Sequence, residues 1–173
     1  MTMFQFQGAG DAGGADLLRL SNIPIGPVAR AAIGTDAVHV AGSLYVAEIA
    51  VQDERTVTNI AVLNGTVVGT DNLIVALYDR AGNLLRTSAL AGVLSAGADD
   101  FQVIALTAPI NIQPGRYFVA VQCNGTTAAT QRIPAATYLN SASIIVGVFG
   151  TVPATITVPT TTTANAGPIV FLS

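Results

Sequence analysis

The sequence of 173 residues has no lysine, no tryptophan, one cysteine and one histidine. A single cysteine cannot form an internal disulfide, so the fold does not depend on one. One histidine and one cysteine cannot fill a zinc site, which takes three or four such ligands. The seven basic residues, all arginines, are scattered along the chain. A nucleic-acid-binding surface would cluster its basic residues, so we expect no nucleic-acid partner.

Charged residues of either sign are also scarce, at 10% of the chain, where a soluble domain has about 25%. Hydrophobic residues make up 51% and the mean hydropathy is +0.58, which excludes intrinsic disorder. The longest charge-free stretch, residues 133–173, is interrupted throughout by proline, threonine and glycine. A membrane-spanning helix needs about 20 consecutive apolar residues. We therefore expect no membrane partner, and the missing charge needs another explanation.

Residues 1–42 show no sustained periodicity and are interrupted by repeated glycines and by Pro24 and Pro27. We predict that they form an extended N-terminal arm rather than a second core. Apolar side chains on such an arm would be a liability in water unless they lay against another surface. We expect the following side chains to contact a partner: Met3, Phe4, Phe6, Leu17, Leu18, Leu20, Ile23 and Ile25.

From residue 43 onward, short runs rich in Val, Ile, Tyr and Phe alternate with turn residues, a pattern typical of β-strands. In 73–78 and 117–121 the residues between the large ones are small or apolar too, so both faces of these strands should be covered. The predicted strands are 44–51, 57–63, 72–79, 84–87, 101–106, 115–123, 143–149 and 168–172. They predict one all-β domain over residues 43–173, a β-sandwich of the jelly-roll type.

The segment 151–168 contains three prolines and a run of four threonines, which favour an extended backbone without ladder hydrogen bonds. We predict a long loop here, on the surface or across a neighbouring chain. The arm and the charge-free stretch after Arg132 are the parts that we expect to be buried against other chains.

Gly8, Gly10 and Gly13 match the dinucleotide fingerprint G-x-G-x-x-G, and Asp36 follows at a fitting distance. That site needs a buried strand before the glycines and a helix after them, whose N-terminus holds the pyrophosphate. Neither pattern is present around these glycines. We therefore interpret the match as part of the arm and expect no cofactor.

His39 lies in an apolar segment with Asp36 and Ser43 near it in sequence. A catalytic triad converges from separate elements, whereas these three residues share one short segment. We interpret His39 as a hydrogen-bonded structural residue and expect no catalytic residues.

Two acidic pairs, Asp53-Glu54 and Asp99-Asp100, stand in predicted turns. Turn capping, a calcium site and a pair of glycosidase carboxylates are the three interpretations open for them. The sequence favours capping, because no calcium-loop spacing is present.

Asn64-Gly65-Thr66 and Asn124-Gly125-Thr126 are formal glycosylation sequons, which we interpret as Asn-Gly turns. Aromatic rings could instead mark a surface that stacks on sugars. Most of the tyrosines lie within predicted strands, which favours packing over sugar binding. The tyrosines are Tyr45, Tyr78, Tyr117 and Tyr138.

Residues 60–79, the hairpin Gly82-Asn83-Leu84-Leu85 and residues 114–121 together resemble β-sandwich domains of bacteriophage virion proteins. The segment 149–157, with Gly167-Pro168, is similar to C-terminal parts of phage structural proteins. The resemblance covers roughly residues 45–173 and excludes the arm. It implies a capsid decoration or head-fibre protein located in the virion, and it carries over no catalytic residue. The hairpin also occurs in carbohydrate-binding sandwiches.

Scarce charge, an apolar arm and the lack of a catalytic constellation are all typical of a chain that is covered by other chains. Obligate interfaces are more apolar and less charged than ordinary surface. We therefore expect a non-enzymatic virion protein that forms a homo-oligomer, such as a trimer, and binds other virion proteins such as the major capsid protein. The alternative is a carbohydrate-binding or receptor-binding module of a tail fibre, whose partner would be a host glycan.

Overall fold

The computed structural model describes residues 21–23, 33–134 and 141–173. These residues form eleven β-strands and contain no helix. The strands are β1 (Thr35–Val38), β2 (Leu44–Val51), β3 (Arg55–Leu63), β4 (Asn72–Tyr78), β5 (Leu84–Thr87), β6 (Val93–Leu94), β7 (Phe101–Ile112), β8 (Gly115–Cys123), β9 (Ala129–Arg132), β10 (Ala142–Ile145) and β11 (Val170–Leu172). The predicted all-β fold is confirmed for the described part of the chain.

Two antiparallel sheets form a sandwich. The larger sheet has six strands in the order β10-β2-β8-β4, with β5 and β6 both paired to the far side of β4. The smaller sheet has three strands in the order β11-β3-β7. A separate two-stranded ribbon joins β1 to β9. The sandwich was predicted, and the finer assignment to the jelly-roll type stays a prediction.

The main core lies between the two sheets and follows the alternation of side chains along each strand. On β4, Leu73, Val75 and Leu77 point toward the smaller sheet, whereas Ala76 and Tyr78 point away from it. The smaller sheet contributes Ile60 and Ile104, which are also fully buried. Because successive side chains of a strand point to opposite faces, this arrangement follows directly from the apolar pattern of the sequence.

The outer face of the larger sheet is covered by residues 151–163 of the same chain, which we call the strap. Ile156 is buried against Tyr78 and Phe118, and Val152 and Val158 pack beside it. The strap forms no regular strand, but backbone hydrogen bonds to the β4–β5 hairpin and to β10 hold it in place. Both faces of β4 are therefore buried, as predicted. The segment was predicted to lie on the surface or across a neighbouring chain, and the strap lies on the surface of its own sheet.

The predicted and observed strand limits agree for β2, β5 and β8. β7 is longer than predicted and continues through Pro109 to Ile112. Proline is tolerated there because β7 is an edge strand and its register with β3 shifts between Val57 and Asn59. The predicted strand 143–149 ends earlier, at Ile145, and the short strands β1, β6 and β9 were not predicted.

Two parts of the predicted arm are described, and both are joined to the sandwich. The side-chain amide of Asn22 donates to the carbonyl of Pro168 at 2.7 Å, and its oxygen accepts from the backbone N–H of Val170 at 3.0 Å. Ser21 forms a bridge with Phe171. β1 also lies within residues 1–42 and pairs with β9. The other residues of the predicted arm lie outside the described residues.

Candidate functional site

One end of the sandwich is built from loops that connect the strands of all three sheets. We call this surface the loop end, and we include in it the ribbon of β1 and β9, which lies beside these loops. Its connecting segments are residues 39–43, 64–71, 88–100, 124–128 and 146–150, and the third of them includes the short strand β6. Connecting loops carried by a rigid sheet scaffold are a common place for binding surfaces.

Exposed apolar side chains are concentrated on the loop end. Of the ten large hydrophobic side chains that are exposed in the described ranges, eight belong to it: Val38, Val40, Val67, Leu90, Val93, Leu94, Val146 and Val148. Val146 is 89% exposed and Val148 is 71% exposed, so neither contributes to the core. Single exposed apolar residues are ordinary, whereas a group of them on one surface makes that surface a candidate contact site.

Gln122, a buried residue near the end of β8, joins two segments of the loop end, 39–43 and 146–150, to the larger sheet. Its side-chain amide donates to the carbonyl oxygens of Gly42 at 2.7 Å and Val148 at 3.0 Å. Its side-chain oxygen accepts from the backbone N–H of Gly150 at 3.2 Å. Gly42 has a φ of 77°, and a Cβ there would collide with the carbonyl of Gly147. The exposed valines therefore stand on a backbone with little freedom.

Asp71 holds the loop between β8 and β9. Its carboxylate is largely buried and accepts hydrogen bonds from the backbone N–H groups of Thr127 at 2.8 Å and Ala128 at 2.6 Å. Gly125 passes so close to this carboxylate that a Cβ would overlap it. Hydrogen bonds to a charged acceptor are stronger than neutral ones. Asp71 is therefore a positioning residue for this loop.

A buried polar cluster lies beneath the loop end, around the ring of Tyr45. Nε2 of His39 is 3.2 Å from the hydroxyl of Thr130, and the His39 ring meets the Tyr45 ring edge-on at 4.8 Å. The guanidinium of Arg132 stacks over the Tyr45 ring, with its carbon atom 3.8 Å from the ring centroid. The same guanidinium donates a hydrogen bond to the carbonyl of Val38 at 2.7 Å. The cluster ties β1 and β9 to β2.

Burial keeps the imidazole of this cluster neutral. Loss of solvation, together with the nearby Arg132 charge, lowers the pKa of His39 to about 3. Burial also lowers the pKa of Arg132. Asp36 accepts from the hydroxyl of Thr66 at 2.5 Å rather than from His39. Asp36 and His39 of the candidate triad are thus directed to separate contacts, and His39 is buried and lies within hydrogen-bond distance of Thr130.

The opposite end of the sandwich has a shallow depression of about 370 Å³ next to the β4–β5 hairpin. Asp79, Arg80, Arg116 and Tyr117 line it. Most of their polar atoms are bonded within the chain: Asp79 accepts from the backbone N–H groups of its own turn, and Arg116 pairs with Glu48 at 2.6 Å. Arg80 is exposed. This depression is the feature that best fits the glycan alternative.

Ile23 is the only described residue among the eight that were predicted to contact a partner. It is 3% exposed and packs against Ile33, Ile133 and Ile169, so it is buried within its own chain. The glycines of the dinucleotide fingerprint lie outside the described residues. So do the other seven predicted contact residues: Met3, Phe4, Phe6, Leu17, Leu18, Leu20 and Ile25.

The remaining sequence candidates fall in turns and in the core. Asn64 is buried and donates to Ala96 and Gln102, whereas Asn124 is exposed and accepts from the N–H of Asn72. The hairpin-turn interpretation is wrong for both pairs, because the strands that flank each pair, β3 and β4 or β8 and β9, belong to different sheets. Neither Gly65 nor Gly125 has the positive φ that an Asn-Gly hairpin turn requires. Asp99 adopts a left-handed conformation with φ of 53°, which aspartate tolerates in turns. Within the described ranges, no group of three or more His, Cys, Asp or Glu is arranged to hold a metal ion.

The loop end itself was not predicted as a site. One signal for it was present, because Ile144, Val146 and Val148 alternate along the chain and all three are exposed. We interpreted this alternation as a continuing strand, and only the contacts of Gln122 show that the segment leaves the sheet after Ile145.

Comparison with known proteins leaves this geometry as the main basis for a functional proposal. Neither a scan against protein-family models nor a search of curated proteins finds a match to the chain. The described part of the chain contains no helix that could cross a membrane.

Proposed function

We propose that the chain is a non-enzymatic structural protein of a bacteriophage virion, a capsid decoration or head-fibre protein that binds the assembled shell through its loop end. The observation that best supports this proposal is the group of eight exposed apolar side chains on the loop end. The resemblance of the hairpin and strand patterns to phage virion sandwiches supports the choice of partner.

The strap adds a second argument for a static role. It covers the outer face of the larger sheet, so this face needs no partner. The apolar surface that is left for contact is therefore concentrated at one end, which suits a protein that stands on a shell. Binding that favours the assembled state stabilises it through mass action, without any chemical step.

The test of this function is whether the purified chain binds to phage shells. The shells come from the phage whose genome encodes the chain, and they are prepared so that they lack it. We expect saturable binding, a shell that melts at a higher temperature, and a homo-oligomer such as a trimer in analytical ultracentrifugation. V146S/V148S should bind roughly tenfold more weakly or worse, since two apolar contacts are lost. The matched control V103S/A105S changes exposed apolar residues of β7, away from the loop end, and should bind normally. If the shells bind neither the unmodified chain nor V103S/A105S, the proposal is overturned.

The alternative function, glycan recognition, is favoured by one observation, the depression beside Tyr117 and Arg80. A ring next to an exposed cation could hold a sugar that carries a carboxylate. A glycan array would then give hits that disappear in R80A, whereas V146S/V148S would keep them.

A further inference from the structure

The described charges divide unevenly between the two ends of the sandwich. Half of the eight described carboxylates lie in the half that contains the depression, together with four of the five described arginines. Those groups are Glu48, Asp53, Glu54, Asp79, Arg55, Arg80, Arg86 and Arg116. The loop end holds the remaining groups, Asp36, Asp71, Asp99, Asp100 and Arg132. The excess of carboxylates over arginines therefore lies entirely at the loop end.

The single arginine of the loop end does not offer its charge to the surface. Arg132 is 3% exposed and is enclosed by Tyr45 and by the carbonyl oxygens of Val38 and Asn165. The neighbouring His39 is buried as well. An approaching partner meets no exposed cation on this end, as far as the described residues extend.

Asp71 is buried, but the other three carboxylates of this end are exposed or half-buried and form part of the border of the apolar patch. Asp36 is exposed on β1, two residues before Val38, and it is held by the hydroxyl of Thr66, next to Val67. The backbone N–H of Asp99 donates to the carbonyl of Gly65 at 3.0 Å, which brings the turn 97–100 to the same loop. Asp99 is half-buried; its Oδ1 atom is itself buried and accepts no hydrogen bond from the described residues. Apolar centre and acidic border thus belong to one surface.

From this arrangement we propose that the loop end binds a protein surface with an apolar centre and a basic border, and that it does not pair with the loop end of a second copy. Two loop ends placed face to face would bring like charges together, which opposes association. A partner with arginine or lysine at its border would instead be attracted and oriented. The inference specifies the partner of the surface used in the proposed function, but its test does not require the shell.

The test uses beads that carry a hexyl chain ending either in an ammonium group or in a carboxylate, at pH 7 and low salt. The full chain should be retained on the ammonium beads and pass through the carboxylate beads. V146S/V148S should be retained more weakly than V103S/A105S, because only the first pair lies on the loop end.

Charge position is tested with two variants that each remove two negative charges. D36N/D99N changes the loop end, and D53N/E54Q changes the opposite end. We expect retention to fall roughly fivefold for D36N/D99N and to change little for D53N/E54Q, with the difference disappearing at about 1 M salt. Thermal melting of each variant confirms that it is folded.

Equal losses of retention in D36N/D99N and D53N/E54Q would overturn the inference. Equal retention of V146S/V148S and V103S/A105S would overturn it as well. Ultracentrifugation gives a second readout: a dimer that forms at low salt and is lost in V146S/V148S would show that loop ends do pair. If the bead results are as expected but shells do not bind, the proposed function fails and the partner chemistry stands.

Discussion

Removing the side chain of Gln122 should loosen the loop end and lower the stability of the whole domain. Its three hydrogen bonds reach the carbonyl oxygens of Gly42 and Val148 and the N–H of Gly150. Gln122 is 1% exposed, so water cannot easily replace these bonds. At about 1 kcal/mol for each net hydrogen bond, Gln122→Leu should lower the free energy of unfolding by about 3 kcal/mol.

The leucine variant separates hydrogen bonding from packing, because leucine is similar in size to glutamine and leaves no cavity. Gln122→Ala should lose more than Gln122→Leu, since it also leaves a cavity. For a domain of this size, about 3 kcal/mol corresponds to a decrease in Tm of about 6–12 °C. Urea unfolding and thermal melting, both followed by circular dichroism, measure the two quantities.

Gln113 provides the matched control, because it is an exposed glutamine in the turn before β8. Gln113→Ala should change the free energy of unfolding by less than about 0.5 kcal/mol. Hydrogen exchange adds a local readout: the amide of Gly150 should exchange faster in Gln122→Leu. A loss of stability smaller than about 1 kcal/mol, the contribution of a single hydrogen bond, would refute the proposed role of Gln122. Unchanged hydrogen exchange at the amide of Gly150 would refute it as well.

Three further variants test the elements around the loop end and the strap. Asp71→Ala should lose about 3 kcal/mol of stability in urea unfolding, because two backbone N–H groups donate to its carboxylate; Asp53→Ala is the control and should change little. Tyr78→Phe removes the hydroxyl that donates to the carbonyl of Pro153 at 3.0 Å, so it should lose about 1 kcal/mol and speed hydrogen exchange in the strap, and unchanged exchange would contradict this. The pKa of His39 is lowered from 6.5 to about 3, so the unfolded chain binds a proton that the folded chain does not. The contribution of His39 to stability should therefore fall as the pH drops from 6.5 toward 3 and then level off, by at most about 1.4 kcal/mol per pH unit; His39→Gln should flatten the dependence of stability on pH between pH 4.5 and 6.5, and identical slopes would refute this.

The strands that could be predicted are those whose own residues carry the signal. β2, β5 and β8 have runs of large apolar side chains that end at turn residues, and their limits were correct. β1 and β9 lack such a signal, since their residues include Asp36, Gln131 and Arg132. These two strands exist because they pair with each other and because Arg132 stacks on Tyr45. That contact joins residues far apart in sequence, so no local sequence pattern predicts it.

The loop end was hidden from sequence analysis for a similar reason. Its exposed valines have the same residue type as the core, and alternation alone does not separate the two environments. What exposes Val146 and Val148 is the departure of their segment from the sheet after Ile145, where Gln122 binds the backbone. The function of Gln122 as a fastener depends on its burial, which the sequence pattern of β8 did not predict.

The scarcity of charge that marks this sequence has two physical causes with different meanings for function. Over the larger sheet it reflects cover by the chain's own strap, where Ile156 and Val158 replace the solvent that would favour charged residues. That part of the deficit needs no partner, so a low overall charge is not by itself an argument for assembly. At the loop end the apolar side chains are exposed, and carboxylates border them without an accessible cation in the described ranges. Only this second part of the deficit supports the proposed protein partner, and the negative charge of the border specifies the basic groups that we propose for that partner. Charge composition becomes informative about partners once it is divided between surfaces that the chain covers itself and surfaces that it leaves open.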